Sequence, residues 1–381
     1  MRVAFFTECY HPTVNGVVIS VSTFARELRH LGVNVAIIAP RTPGYVDDEP
    51  NVYRLPARSH KTRPDYPIAM PRGKLIAPIL EKERPQLIHT HSPFVMGAAA
   101  YMWAKRLKVP LVFTFHTLYE KYTHHIPYLP QPLLKVVAKK YSRAFAGRAA
   151  CVIAPSRGIK QMLISDGVRT RIEALPTGID LSLAENPQPV RHRWSIPPAA
   201  RLLLYAGRLA PEKNLEMLLK SMRIVVEREP AAHLLLVGDG PSSSALRTLA
   251  EELGIARWVH FAGTVPRTDV FNCAAEADLF LFPSVTDTQG LVVAEAMVSG
   301  APCVAVNSAA VLGLVQNGVN GLLTANDAAS LASAVGSLLE DEEQRQRMSK
   351  AARETVASLS AEAAARRLAA IYAELIGQAA S

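Results

Sequence analysis

The sequence predicts an α/β protein built from two doubly wound units, each with a parallel sheet between layers of helices. Short apolar runs alternate with amphipathic helical patterns, and the alternation starts again near residue 201. The length of 381 residues also exceeds what one hydrophobic core usually supports. We therefore expect a first domain over residues 1–180, a linker over 181–200 and a second domain over 201–360.

In the first half, strand patterns and helix patterns follow one another. RVAFFT is a short apolar run that ends in a loop of Pro, Asn and Gly, and ISVSTFARELRHLG has helical spacing closed by Gly32. NVAIIAP, QLIHTH, PLVFTFH and ACVIAPS are predicted as further strands, and GAAAYMWAKRLK as a helix. This order is typical of a parallel sheet covered on both faces.

The second half repeats the pattern. The predicted strands are RLLLYAGRL, HLLLVGDGP, WVHFAGTV, DLFLFPS and PCVAVN, and the predicted helices are NLEMLLKSMRIVVERE, SSSALRTLAEELG and LVVAEAMVSG. The segment before this repeat is rich in Pro and polar residues, which is why we assign the linker there. An Ala-rich stretch over residues 328–377 is predicted to be helical.

Composition indicates a globular protein without a membrane-spanning segment. No long apolar run occurs without a charge, and the start, MRVAFFTECY, has a single basic residue, which argues against a secretory signal. Cys9, Cys151, Cys273 and Cys303 lack metal-ligand spacing and are expected to be buried free thiols in a reducing compartment. We therefore expect a cytoplasmic protein whose contact with the membrane is peripheral.

Positive charge is concentrated in the first half of the chain. Residues 1–180 contain 25 Lys and Arg against 12 Asp and Glu, whereas residues 181–381 contain 17 against 21. No acid occurs from Lys121 to Ser165. This asymmetry indicates an anionic partner, and a membrane is favoured over nucleic acid because no nucleic-acid-binding motif is recognisable.

The segment QPLLKVVAKKYSRAFAGRAA is predicted to form an amphipathic helix on an anionic membrane surface. Its apolar and basic residues follow helical spacing on adjoining faces. The apolar residues are Leu134, Val137, Ala138, Tyr141 and Phe145, and the basic residues are Lys135, Lys139, Lys140 and Arg143. A helix packed on its own sheet has the same pattern and is the alternative.

Candidate ligand-binding residues follow the predicted strands of the second domain, where doubly wound folds bind ligands. AGRLAPEKN carries Arg208 and Lys213, two cations that can clamp a diphosphate, although a solvated loop can also carry them. In TDTQGLVVAEAM, the N–H groups of Gly290 and Leu291 are expected to point at an anion from a helix N-terminus.

The same segment contains two acids. Glu295 lies about a turn and a half into the predicted helix, where its carboxylate can accept both hydroxyls of a ribose. Asp287, on the loop, is expected to reach a hydroxylated group beyond the phosphates. For either acid alone, a favourable charge near the start of a helix is the simpler explanation.

The first domain offers weaker candidates. Gly16, in TVNGVV, lets backbone N–H groups approach a phosphate, although an ordinary tight turn explains it as well. His116 ends a strand and is expected at the mouth of the site, with a packed histidine as the alternative. We predict no metal site, because His116, His124 and His125 lack metal-ligand spacing. HTHS, residues 89–92, is given at most a minor lining role.

The ordered set of motifs resembles the retaining glycosyltransferases of family 4. The matching segments are FTECYHPTVNGVV, FHTLYEKYTHHIPYLP, IAPS, LPTGID, AGRLAPEKN, LLLVGDGP, FAGTV and FPSVTDTQGLVVAEAM, which span nearly the whole chain. The resemblance implies the GT-B architecture, in which two Rossmann-like domains face a central cleft. It also implies that TGID lies where the chain passes between domains and that a final helix, residues 361–381, crosses back onto the first domain.

The resemblance implies a role for each matching residue. Gly16 is similar to the glycine that approaches phosphate, and Arg208 and Lys213 to the diphosphate clamp. His116 matches the histidine near the transferred sugar, and Val265 the place where backbone atoms meet the nucleotide base. Tyr119, in the HTLYEKY segment, is assigned to the acceptor side.

The acids match the Glu-x7-Glu pair of the family, in which the first acid holds sugar hydroxyls and the second the ribose. Thr288, Gln289, Gly290 and Leu291 complete the implied donor-binding segment. Asp287 is one methylene shorter than the usual Glu, so its reach to the sugar is expected to be shifted or bridged by water. NSAAVLGLV also lacks the acidic, glycine-rich form of that loop seen in many relatives.

Within the family, HTLYEKYTHHIP and TDTQGLVV look most like enzymes that glycosylate diacylglycerol, typically from UDP-glucose. The implied reaction is metal-independent and needs no cofactor besides the nucleotide-sugar co-substrate. It transfers a hexose to a membrane lipid with retention, at the inner face of the cell membrane. The alternatives are GDP-mannose transfer to phosphatidylinositol or another lipid, transfer to a soluble sugar, a sugar-nucleotide epimerase, and a nucleic-acid-binding protein.

Overall fold

The structure is a computed structural model that describes residues 1–60, 63–123 and 130–380. It divides into two compact units. Unit 1 comprises residues 1–178 and 361–381, and unit 2 comprises residues 179–360. His124 and His125, considered above for a metal site, lie outside the described residues.

Helices and strands alternate along most of the chain as the sequence predicts. The strands are β1 Arg2–Phe6, β2 Asn34–Pro40, β3 Val52–Leu55, β4 Ala57–His60, β5 Arg63–Ala69, β6 Leu87–Thr90, β7 Leu111–Thr114, β8 Cys151–Ala154, β9 Ile172–Ala174, β10 Arg201–Ala206, β11 Ala232–Val237, β12 Val259–Gly263, β13 Leu279–Phe282, β14 Cys303–Val306 and β15 Gly321–Thr324. The α-helices are α1 Gly16–His30, α2 Gly73–Glu83, α3 Val95–Leu107, α4 Gln131–Ala146, α5 Arg157–Ser165, α6 Leu215–Arg228, α7 Ser243–Glu252, α8 Arg267–Glu276, α9 Leu291–Ser299, α10 Ala328–Glu340, α11 Glu342–Val356 and α12 Ala361–Ala380. The exceptions to the alternation include β2 to β5 and α10 to α12, which follow one another directly.

Unit 1 is built on a seven-stranded parallel sheet in the order β3-β2-β1-β6-β7-β8-β9. Strands β4 and β5 form a separate antiparallel pair. The order of the main sheet reverses between β1 and β6, whose adjacent carboxyl ends are Phe6 and Thr90. Ligands of doubly wound sheets bind at such a switch point.

Helices α1 and α12 cover one face of this sheet. Val18, Val21 and Leu28 of α1 are buried against residues of α12 such as Leu368 and Tyr372. These side chains recur at helical spacing, so each helix presents an apolar stripe to the core. The final helix therefore packs on the first unit, as the resemblance implies.

Unit 2 contains a six-stranded parallel sheet in the order β12-β11-β10-β13-β14-β15. Along β10, Leu202 and Leu204 belong to one buried cluster and Leu203 and Tyr205 to another. Successive strand residues point to opposite faces, so both faces are covered, as predicted. The strand order reverses between β10 and β13, which defines the switch point of this unit.

Residues 181–200 are predicted to be a linker, but in the structure they belong to unit 2. Val190 and Ile196 are fully or almost fully buried in its core. The carboxylate of Glu276 also accepts hydrogen bonds from the backbone N–H groups of Val190 at 2.9 Å and Arg191 at 2.8 Å. The prolines and polar residues that suggested a linker instead shape a packed segment whose few apolar residues are enough to anchor it.

Two simpler predictions concern the cysteines and membrane spans. All four cysteines are buried and unpaired. Within the part of the chain that the structure describes, no helix is both long and apolar enough to span a bilayer.

Candidate functional site

The switch point of unit 2 is formed by two loops that are tied together. The loop after β10 contains residues 207–214, and the loop after β13 contains residues 283–290. The hydroxyl of Thr286 donates to the Glu212 carbonyl at 2.9 Å, and the amide of Asn214 donates to the Pro283 carbonyl at 3.1 Å. The Lys213 ammonium lies 2.5 Å from the Asp287 carboxylate, which adds an ion pair to these bonds.

Glycines allow the first of these loops to pass close to the loop after β11. Gly238 has a φ of 122°, and a Cβ there would lie 2.0 Å from the Gly207 carbonyl oxygen. A Cβ on Gly240 would lie 2.4 Å from the Leu209 carbonyl oxygen. The two glycines of GDGP, Gly238 and Gly240, are therefore required by close backbone approach to the loop that carries Arg208.

The structure brings Lys213 and Asp287 together, although the sequence predicted separate roles for them. Each side chain is 18% exposed. Because the Lys213 ammonium is already paired with Asp287, an anion that binds Lys213 has to share this ammonium with the Asp287 carboxylate. Arg208 lies in the same loop, where its carbonyl accepts a hydrogen bond from the Tyr205 hydroxyl at 3.2 Å.

Glu295 is buried in α9 and bound by a cation that the sequence analysis missed. Arg267, at the start of α8, donates to its carboxylate at 2.5 Å. Burial raises the pKa of Glu295, and the attraction of Arg267 opposes this shift without cancelling it. Arg267 could have been found by the rule that located Arg208, because it follows a strand, β12, within the motif FAGTVPR.

The predicted anion-binding role of Gly290 is wrong as stated. Its N–H donates to the Ala310 carbonyl at 3.3 Å, because the chain turns toward that loop before α9 begins at Leu291. Leu291 and Val265 are half-buried and pack on the core of unit 2. In the loop after β13, Thr288 is buried and Gln289 is half-buried, so both line the carboxyl edge of the sheet.

In unit 1, polar side chains gather at the carboxyl ends of β1, β6 and β7. His91 Nδ1 lies 2.9 Å from His116 Nε2. The Glu8 carboxylate accepts hydrogen bonds from the Ser92 hydroxyl at 2.9 Å and the Met96 N–H at 2.8 Å, and burial raises its pKa. Glu8 was not predicted and His91 was given at most a minor lining role, although Glu8 follows β1 and His91 follows β6.

Gly16 and Tyr119 lie near the same edge. Gly16 begins α1, whose preceding residue Asn15 caps the helix by accepting from the Val18 N–H at 2.9 Å. A Cβ on Gly16 would meet no atom of the described residues within 4 Å, so contacts within the fold do not explain the glycine. The Tyr119 ring packs edge-on against Phe94, and burial raises the pKa of its hydroxyl.

The exposed apolar residues of helix α4 are mostly not the ones that the sequence predicts. Leu133, Val136 and Val137 are 61%, 51% and 53% exposed, respectively. Leu134 and Ala138 are half-buried and Phe145 is buried, because the helix packs that side on its own sheet. The alternative of a packed helix is thus partly correct, and an apolar stripe still faces outward beside the exposed Lys135, Lys139 and Lys140.

Arg143 is not part of that exposed face, which corrects its predicted contact with the membrane. Its side chain is 7% exposed and donates to both carboxylate oxygens of Glu120, at 2.7 and 3.0 Å, and to Asp166 at 3.1 Å. Lys139 pairs with the second oxygen of Asp166 at 2.7 Å. Burial raises the pKa of Asp166, but the two cations outweigh burial and hold it below its usual value.

Carboxylates and histidines of the described ranges do not form a metal-binding cluster. No group of three or more His, Cys, Asp or Glu there is placed to hold a metal ion. The functional groups at the carboxyl edges of the two sheets are therefore cations, paired carboxylates and neutral histidines.

Known proteins share this combination of fold and motifs. Residues 14–183 match the sequence model of glycosyltransferase family 4, and residues 188–355 match that of the glycosyl transferases group 1. A sucrose-phosphate synthase from Thermosynechococcus elongatus has a similar fold, with a TM-score of 0.81 and 22% identity, covering 99% of this chain and 100% of that one.

Two relatives are similar in sequence along most of the chain. The alpha-monoglucosyldiacylglycerol synthase of Streptococcus pneumoniae is 30% identical over 319 residues, which cover 80% of this chain and 71% of the relative. A GDP-mannose-dependent alpha-mannosyltransferase of Mycolicibacterium smegmatis is 29% identical over 367 residues, which cover 93% and 92%. The chain therefore belongs to glycosyltransferase family 4, is a hexosyltransferase and has the GT-B type of fold.

Proposed function

We propose that the protein transfers a hexose, glucose from UDP-glucose, to the hydroxyl of a membrane lipid such as diacylglycerol, with retention of the anomeric configuration. The observation that carries this proposal is the pair of tied loops at the switch point of unit 2. They hold Arg208 and Lys213 beyond the carboxyl end of β10, where a leaving diphosphate needs positive charge. The similarity to a monoglucosyldiacylglycerol synthase supports glucose as the sugar and diacylglycerol as the acceptor.

The donor is held by residues of unit 2. Arg208 and Lys213 bind the diphosphate, assisted by the positive end of the α9 dipole near Leu291. The Glu295 carboxylate, which is paired with Arg267, accepts hydrogen bonds from the ribose hydroxyls, and Asp287 contacts the sugar. Thr288 and Gln289 line this loop, and backbone atoms at Val265 meet the base.

The chemistry that these residues supply is electrostatic and requires no metal. Cations that are already in place stabilise the negative charge that develops on the departing diphosphate. Asp287 and Glu295 are each bound by a cation, so neither is presented as an unpaired nucleophile for a double displacement. Attack by the acceptor on the face that the diphosphate leaves accounts for retention, and the leaving phosphate takes the proton.

Unit 1 supplies the remaining contacts. Gly16 lies at the start of α1 with open space beside it, which suits an approaching phosphate. His116 positions the transferred sugar, and Tyr119 lies on the acceptor side. We assign the membrane contact to the outward stripe of α4 with Lys135, Lys139 and Lys140, which combines apolar surface with positive charge. The membrane face that we propose for this contact is the inner face of the cell membrane.

A GDP-mannose-dependent lipid mannosyltransferase is the second candidate. The mannosyltransferase relative matches more of this chain, and more of its own length, than the glucosyltransferase relative does. The base and the hexose separate the two candidates.

One assay distinguishes the two candidates. The purified protein is incubated with radiolabelled UDP-glucose or, in parallel, GDP-mannose, together with diacylglycerol or phosphatidylinositol liposomes. We expect an α-glucosyl lipid from UDP-glucose and diacylglycerol. Label that appears only with GDP-mannose would select the second candidate. Label on soluble sugars alone would contradict a lipid acceptor, and a product of inverted configuration would contradict retention.

Replacing Lys135 and Lys140 together with Gln is expected to weaken binding to anionic liposomes about 30-fold. Each basic residue near an anionic surface contributes about 1 kcal/mol, so losing two removes about 2 kcal/mol. Sedimentation with phosphatidylglycerol vesicles measures the partition coefficient.

The matched control is the double change Lys220→Gln and Lys350→Gln, which removes the same charge from exposed positions of unit 2. We expect the control to bind like the unchanged protein. Equal weakening by both double variants would show that net charge, and not the α4 surface, governs binding.

A further inference from the structure

An ion pair between helices α8 and α9 of unit 2 binds one oxygen of a buried carboxylate and leaves the other oxygen unbound. Glu295 is the single charged residue of α9, whose Val293 and Met297 side chains are buried in the core of the unit. A carboxylate in apolar surroundings needs a polar partner. Arg267, at the start of α8, supplies it through a hydrogen bond of 2.5 Å from Nη2 to Glu295 Oε1.

The contact uses only part of each group. Arginine and carboxylate groups frequently pair through two parallel hydrogen bonds, which occupy two N–H donors and both oxygens. In this pair the hydrogen bond runs to Oε1, whereas Arg267 Nε is buried and has no hydrogen-bond partner among the described residues. Within the same part of the chain, Arg267 is the one side chain that donates to the Glu295 carboxylate. The pair therefore leaves an N–H donor and the oxygen Oε2 unsatisfied, although a pair with two hydrogen bonds would join them.

The position of the guanidinium is set by its surroundings. Its central carbon lies 5.9 Å from the centre of the Phe271 ring, which is one turn further along α8 and is 1% exposed. A buried N–H group without a partner opposes folding. Stability therefore does not account for a pair that binds through one hydrogen bond where two are possible.

The same geometry leaves Oε2 ready for a ligand. The Glu295 side chain is 9% exposed, and Oε2 keeps contact with solvent, because it is not one of the fully buried atoms without a partner. An oxygen whose carboxylate is held through the other oxygen can accept a hydrogen bond from a ligand hydroxyl without first losing a partner in the protein.

We propose that Arg267 is a positioning residue for donor binding: its hydrogen bond to Oε1 orients Glu295 so that Oε2 faces the ribose hydroxyls of the nucleotide. Arg267 acts through Glu295 and does not itself contact the nucleotide. The inference rests on the proposed function, in which Glu295 binds the ribose, and it assigns the side chain that sets the orientation of this carboxylate.

Isothermal titration calorimetry with UDP, GDP and their 2′,3′-dideoxy analogues tests this role without any turnover. We expect Arg267→Met to raise the Kd of the ribonucleotide that the unchanged protein binds about 10- to 100-fold, because the hydrogen bonds between Glu295 and the ribose are lost. The dideoxy analogue has no hydroxyl for Glu295 to bind, so we expect its Kd to be the same for both proteins.

The results separate this inference from the proposed function. Equal weakening of the ribonucleotide and its dideoxy analogue would assign Arg267 to the base or the phosphates and overturn the positioning role. An unchanged Kd for both ligands would overturn it too, and donor binding by the unchanged protein would stand in either case. If the unchanged protein bound neither UDP nor GDP, the proposed donor site would fail and this inference with it.

A double-mutant cycle with Glu295→Gln shows whether Arg267 acts through Glu295. Once Glu295→Gln is present, we expect Arg267→Met to weaken ribonucleotide binding by less than about 2-fold, because Arg267 no longer has a carboxylate to orient. Losses that multiply in the double variant would show that each side chain contacts the nucleotide independently, which contradicts the proposal. Arg267→Lys keeps the charge and should recover part of the affinity.

Arg193→Met is the matched control. Arg193 pairs at 2.6 Å with Asp269 in the first turn of α8, so this variant loses the same charge beside the same helix. We expect it to bind the ribonucleotide and the dideoxy analogue like the unchanged protein. Thermal unfolding shows whether each variant has folded. If Arg267→Met does not fold, Arg267→Gln is compared with the same two ligands, and the same selective loss is expected.

Discussion

Lys213→Ala is expected to lower kcat by about 100- to 1,000-fold while leaving unit 2 folded. In the proposed reaction, charge develops on the leaving diphosphate beside this ammonium, so its loss should affect the transition state more than the bound donor. The loops remain joined by the Thr286 and Asn214 hydrogen bonds after the ion pair is removed. Steady-state kinetics with varied donor, together with thermal unfolding, measures both effects.

The controls distinguish a catalytic cation from a structural one. Lys213→Arg keeps the charge and should retain more activity than the alanine variant, and Lys220→Ala, in the next helix, should change nothing. If Lys213→Ala turned over the donor like the unchanged protein, Lys213 would have no place in the diphosphate site. A large fall in unfolding temperature would instead assign the ion pair to stability.

Arg143→Met is expected to destabilise unit 1 by about 3–5 kcal/mol. The substitution fills a similar volume but removes the buried cation that binds Glu120 and Asp166, and an uncompensated buried carboxylate is costly. Trp103 is the only tryptophan of unit 1. Urea unfolding in a Trp194→Phe and Trp258→Phe background therefore reports the free energy of unfolding of this unit.

Lys139→Met is the matched control, because it removes a cation from the same helix that also pairs with Asp166. The Lys139 side chain is about half exposed, so its loss should cost less than about 1 kcal/mol. Equal losses for the two variants would mean that the buried network does not anchor α4. Membrane binding by the Arg143 variant at a permissive temperature should also stay close to normal, since Arg143 is not on the exposed face.

Much of the candidate site followed from where residues lie relative to strands. Arg208, Lys213 and Asp287 of unit 2 and His116 of unit 1 are predicted as candidates because each follows an apolar run, and the carboxyl ends of parallel strands share one edge of their sheet. Arg267 satisfies the same rule but was not predicted, and its contact with Glu295, 28 residues away in sequence, is visible only in the structure. Nothing local in VPRTDV indicates that contact.

The errors share a physical origin. Residues 181–200 look like a linker by composition, but Val190 and Ile196 are buried in a core to which the distant elements β10 and α8 contribute. Arg143 follows the same spacing as the exposed lysines, and only the positions of Glu120 and Asp166 draw it inward. The N–H of Gly290 was expected to bind an anion, but it donates a hydrogen bond to the Ala310 carbonyl.

By itself, the sequence determined that this protein has two doubly wound units and which polar residues follow its strands, because hydrophobic periodicity and chain order are local properties. Only the tertiary structure decided which charges neutralise one another and which face of α4 remains outside. Those outcomes depend on contacts between residues far apart in the chain, whose energies are set by burial and by partners that no short segment contains.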